Sequence, residues 1–169
     1  MFEEVYFPTK EQLVTDREQR IQDRLCELIR SRPPALNPAA AVRGFVLEGV
    51  DGIRDIPPEL WRGEIGYLAV ISPTIHRLVL ELVERQAIAL ASAISDSTEV
   101  SPEVAKLQGI ALSSVFQIII SEAGRRTQKG HSPTKVARAL HPIVERILDE
   151  LDRWFSISGA PRASHRQRT

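Results

Sequence analysis

Aromatic residues make up only 5% of this 169-residue chain, and cysteine occurs once, at Cys26. A single cysteine excludes an intrachain disulfide and a thiolate metal cluster. Scarce aromatics argue against base stacking as a main binding mode and leave the core to Leu, Ile, Val and Ala. The longest apolar tract, Val115–Ile120, is already broken by Gln117, whereas a bilayer span needs roughly 20 residues. The start, Met1-Phe2-Glu3-Glu4, is acidic where a secretory leader is basic. A cytoplasmic protein with no membrane partner is therefore expected.

Catalytic signatures are missing as well. The chain has no HExxH, no Glu-x-x-His, no Cys or His pair at ligand spacing, no GxSxG and no GxxxxGK[ST]. Glu81 and Glu84 have helical spacing, but no histidine follows at the offset a di-metal bundle requires. Gly63-Glu64-Ile65-Gly66 shares only its glycines with a phosphate loop. His76 stands at a helix start with no second ligand spaced to help it, and nothing beside Cys26 is placed to activate a thiol. No catalytic residue, metal ligand or cofactor is assigned, and a non-enzyme is expected.

What the chain does have is helix starts. Ser72-Pro73, Ser101-Pro102 and Ser132-Pro133 each precede a long stretch of helix-period apolar residues, Asn37-Pro38 repeats the device, and Thr9 with Gln12 makes a capping box. A Ser, Thr or Asn side chain accepts from an orphan N–H of the first turn, and proline next to it has no N–H to leave unpaired. Helices are predicted over 10–32, ended by Pro33-Pro34, and over 73–95, 102–128 and 133–156. Small residues in the second half of helix 73–95 (Ala87, Ala89, Ala91, Ser92, Ala93) permit close helix approach. The run Ile118-Ile119-Ile120 makes 102–128 the central helix. Ser113, Ser114, Gln117 and Ser121 lie on that apolar helix, either bonding across the bundle or marking a docking face. Pro142 should kink its helix or restart it near Leu140, with His141 capping the freed carbonyls.

The segment 37–70 reads less simply. Asn37-Pro38 opens a helix that Gly44, Gly49 and Gly52 weaken, each glycine costing roughly 1 kcal/mol against alanine. Asp51-Gly52 is a turn signal, which allows Val46–Ile53 to be a hairpin strand instead. Pro57-Pro58 starts a further short helix through Trp61, Ile65 and Leu68. Phe45, Trp61 and Tyr67 plug one end of the bundle or, alternatively, line a ligand pocket. The fold class is thus all-α: a compact antiparallel bundle of about five to six helices, irregular over 37–70. Residues 1–158 are read as one domain and 159–169 as a disordered basic tail.

Charge supplies the one asymmetry. From Ala123 onward there are ten bases and four acids, so that part carries +6 and the remainder −6. Arg125, Arg126 and Lys129 close one helix, Lys135 and Arg138 open the next, and Arg162, Arg166 and Arg168 follow in the tail. All five helical cations should gather around one inter-helix connection, beside free N–H groups that also favour phosphate. Cations at a helix C-terminus merely complement its dipole, but Lys135 and Arg138 gain nothing of the kind at a helix start. The leading expectation is a non-catalytic helical subunit of a larger assembly. Its apolar faces would meet other protein subunits, and its basic end an RNA or DNA backbone without sequence preference. The alternatives are a pure protein-interaction module (adaptor, phage structural or assembly protein) and a ligand-sensing domain near His76 and Trp61.

Overall fold

The computed structural model describes residues 9–158. Within them are seven α-helices, one 3-10 turn and no strand. The helices are α1 (Lys10–Arg30), α2 (Pro38–Gly52), α3 (Pro58–Trp61), α4 (Ile65–Ile71), α5 (Pro73–Ser97), α6 (Pro102–Gln128) and α7 (Pro133–Ser158); the 3-10 turn is Ile53–Asp55. Arg162, Arg166 and Arg168 of the predicted tail lie outside the described residues.

All five helix starts read from the sequence are made as expected. Thr9 Oγ1 accepts from the Gln12 amide at 3.2 Å, Asn37 Oδ1 from Ala40 at 3.0 Å, and Ser72 Oγ from Ile75 at 3.4 Å. Ser101 Oγ accepts from Val104 and Ser132 Oγ from Lys135, both at 3.3 Å.

In segment 37–70 the helix opened by Asn37-Pro38 forms and the strand alternative does not. The segment is mostly helical, and Val46–Ile53 is not a strand but the end of α2 and the 3-10 turn. Packing overrides the three glycines there. Val42, Val46 and Val50, at i,i+4 spacing, are buried in the core and form the apolar stripe of α2. Polar bonds fasten the same helix to α7. Arg43 reaches Glu145 (3.1 Å) and Asp149 (2.5 Å), while the Asn37 side-chain amide donates to the Asp152 carbonyl (3.1 Å) and to Ser156 Oγ (2.9 Å). What was read as one helix from Pro57 is two, α3 and α4, separated at Arg62–Glu64.

Of the two outcomes expected for Pro142, the restart near Leu140 is excluded, because α7 runs unbroken from Pro133 to Ser158. Proline removes only the bond to the Arg138 carbonyl, and it sits on the exposed side. On the opposite side Leu140, Val144 and Leu148 are buried and keep the helix packed across the gap. His141 therefore caps no freed carbonyl. Its Nδ1 lies 2.8 Å from Asp51 Oδ1, across to the end of α2, and this bond holds the Asp51 carboxyl below the usual range.

Helix α6 packs against α4, α5 and α7. It is also long and apolar enough, by length and composition, to cross a membrane; counting uninterrupted runs misses this, because its polar residues are isolated ones. Several of those are turned inward. Ser113 Oγ lies 2.6 Å from the Val83 carbonyl and 3.1 Å from Gln86 Oε1 of α5, which is the cross-bundle bond anticipated. Ser114 and Ser121 instead bond back to carbonyls of their own helix.

Gln108 is 1% exposed, and its Oε1 has no donor among the described residues. An unsatisfied buried acceptor costs about 1–3 kcal/mol. Gln108→Leu, similar in volume, should therefore raise stability by about 1 kcal/mol in urea denaturation. A loss of that size would show instead that the amide is needed where it stands.

Candidate nucleic-acid interface

The basic end is built by the turn between α6 and α7. Gly130 has φ +82°, the left-handed conformation that glycine adopts without strain. The Gly130 amide donates to the Thr127 carbonyl (2.9 Å) and the His131 amide to the Arg126 carbonyl (3.1 Å). That pair of bonds is a Schellman motif, which satisfies the last carbonyls of α6 and reverses the chain at once. Ser132 then caps α7. The cations of both helix ends are consequently carried to one place.

Arg125, Arg126, Lys129 and Lys135 all act electrostatically on His131, and Arg138 lies one turn further along α7. Four of the five expected cations thus meet at the turn, and they are not equivalent charges. Glu122, one turn earlier on α6, receives Arg125 at 2.6 Å and Arg126 at 3.4 Å. The Arg125 hydrogen bond holds the Glu122 carboxyl below its ordinary value. Lys129, Lys135 and Arg138 are exposed and have no ion-pair partner among the described residues. The nearest acids of α7 are occupied elsewhere: Glu145 and Asp149 hold Arg43, and Glu150 holds Arg153.

One tertiary contact at the turn is not revealed by sequence spacing. The Trp61 indole N–H donates to the His131 carbonyl at 3.3 Å, which docks α3 against the turn. No periodicity connects residues so far apart.

The His131 ring reports the resulting field. Burial pushes its pKa below the ordinary 6.5, and Lys135, Arg126, Lys129 and Arg125 push it the same way. Protonation is thus disfavoured in the folded state. The stability linked to His131 is fully present above pH 6.5 and is lost as the pH falls through its depressed folded value.

The other sequence candidates lie outside this arrangement. His76 is exposed on α5, as are Glu81 and Glu84. Cys26 is buried, and that burial raises its thiol pKa, Arg30 opposing the shift and Asp23 adding to it. Among the described residues, no group of three or more His, Cys, Asp or Glu is placed to hold a metal ion. No family model, curated protein or solved structure matches this chain.

Proposed function

We propose that this protein is a non-catalytic helical subunit whose basic end lies along a nucleic-acid backbone within a larger assembly. The observation that carries the reading is the trio Lys129, Lys135 and Arg138, exposed and without ion-pair partners around one tight turn. Cations whose only task was to complement a helix dipole would stand at the end of α6 alone. Two of these three stand at the start of α7, where the dipole opposes them. Backbone phosphates satisfy such a cluster without base contacts. Exposed aliphatics on α5 and α6 (Ile88, Leu107, Ile110) supply the apolar surface that protein neighbours would cover.

Fluorescence anisotropy of a labelled single-stranded oligonucleotide at several salt concentrations tests the reading. Five engaged bases would give a log–log salt slope of about −3.5, whereas the three unpaired ones give about −2, at roughly 0.7 per contact. The slope should lie near −2, and replacing Lys129, Lys135 and Arg138 by Ala should flatten it and weaken binding at least ten-fold. Loss of Arg125 and Arg126, already held by Glu122, should matter less. Bound phosphates should also raise the NMR-measured pKa of His131 towards its ordinary value. An absence of binding at low salt would exclude this function for the isolated chain.

A further inference from the structure

The end of the bundle beneath the basic turn is hollow. Residues from α1, α2, α3, α4 and α6 line a partly open cavity of about 170 Å³. Four of the chain's nine aromatic residues, Phe45, Trp61, Tyr67 and Phe116, line it. The rest of its wall is mainly aliphatic, from Ile21 of α1 to Ile119 of α6. The rings are thus packed at one end of the bundle, as in the first sequence reading, and they also border a cavity. An apolar cavity of about 150 Å³ is known to stay dry and to accept a benzene ring. Side chains facing a void lose contacts on one side, and a ring of matching size restores them.

Three charged residues, Arg17, Glu18 and Glu64, belong to the lining. Arg17 and Glu64 pair with each other at 2.9 Å and are 54% and 24% exposed. The third, Glu18, is half-buried, and no donor to its carboxylate exists among the described residues. With Arg17 and Glu64 neutralising one another, the cavity keeps one unmatched negative charge. Arg85 of α5 shares a separate cleft of about 10 Å³ with Glu18 but does not line this cavity. Aromatic faces are themselves electronegative and attract organic cations.

We propose that the cavity binds a small aromatic amine, its ring among Phe45, Trp61, Tyr67 and Phe116 and its ammonium against Glu18. An aromatic carboxylate would meet an unpaired carboxylate at the same point and is rejected. Burial holds the Glu18 carboxyl above its ordinary 4.5, with Arg17 acting in the opposite direction. A bound ammonium supplies the missing counter-charge. The proposal is independent of the basic end, because none of the cations of the α6–α7 turn lines the cavity.

The test uses the full chain carrying Trp154→Phe, so that Trp61 is the only indole, titrated with phenethylamine, ethylbenzene and phenylacetate. Phenethylamine should change Trp61 emission saturably and raise the melting temperature; phenylacetate should do neither. Glu18→Gln should weaken phenethylamine at least ten-fold while leaving ethylbenzene unchanged. Gly49→Leu grows a side chain at a cavity-lining position where a Cβ meets nothing within 4 Å, and should weaken both ligands. Equal binding of amine and carboxylate, binding of ethylbenzene but not the amine, or no binding of either would each overturn the proposal. Full amine affinity in Glu18→Gln would overturn the role given to Glu18.

Discussion

Replacing Gly124 by alanine should cost about 3 kcal/mol or more, the upper end for overpacking a rigid core. A Cβ built on Gly124 falls 2.0 Å from the Gly66 carbonyl oxygen, where α4 crosses α6. From the other side, a Cβ on Gly66 would lie 2.8 Å from the Ile120 carbonyl oxygen. The obstacle in both cases is backbone, which cannot rotate aside as a side chain does. The helices would have to move apart, and α6 cannot shift freely because α5 is equally close on another side. A Cβ on Gly109 falls 2.6 Å from the Ala87 carbonyl oxygen and 2.7 Å from the Ala91 nitrogen.

Gly44 is the control. It is exposed on α2, and an added Cβ meets nothing within 4 Å. Gly44→Ala should therefore stabilise by about 0.5–1 kcal/mol, the gain in helix propensity. Urea melts of the two variants should move in opposite directions. A Gly124→Ala midpoint close to that of the unsubstituted protein would mean that α4 and α6 are not in backbone contact.

Trp61→Ala should be comparably damaging, at about 3–5 kcal/mol. Trp61 is 7% exposed, belongs to the main core and borders the cavity, so its loss enlarges a void that already exists. It is also the only buried residue of α3. With the ring gone, that four-residue helix has little else to hold it to the α6–α7 turn. Trp61→Phe keeps much of the apolar surface and loses the bond to the His131 carbonyl, which costs about 0.5–1.5 kcal/mol. Thermal denaturation of the pair separates the two contributions. A Trp61→Ala change under about 1 kcal/mol would show that the ring is not core.

Local chemistry made the helical architecture legible. Capping and proline geometry depend on residues within one turn of each other, so Ser72-Pro73, Ser101-Pro102 and Ser132-Pro133 placed α5, α6 and α7 with little error at the N-terminal ends. The end of α1 before Pro33 was legible for the same reason. In segment 37–70 local rules compete with packing, and the sequence leaves helix and strand both open for Val46–Ile53. Gly44, Gly49 and Gly52 argue against a helix one by one, and only burial of Val42, Val46 and Val50 against the rest of the core outweighs them. At Pro142 the same competition keeps α7 continuous, the lost bond being offset by the buried side of the helix. At the basic end, spacing alone brought Arg125, Arg126, Lys129, Lys135 and Arg138 to one turn. It did not reveal that Glu122 holds two of them, because an i,i+3 or i,i+4 pair forms only if the side chains have no better partner across the bundle.

By itself, then, the chain's order of residues determined the all-α class, the helix starts and the concentration of positive charge around Lys129–Ser132. Each of these is settled by interactions a few residues apart. The tertiary structure alone decided which glycines are indispensable, how the aromatic residues surround a cavity, and which cations remain unpaired. Those properties arise where distant segments meet. Gly66 against Gly124, Trp61 against His131 and Glu18 beside Phe116 are juxtapositions that no local period encodes.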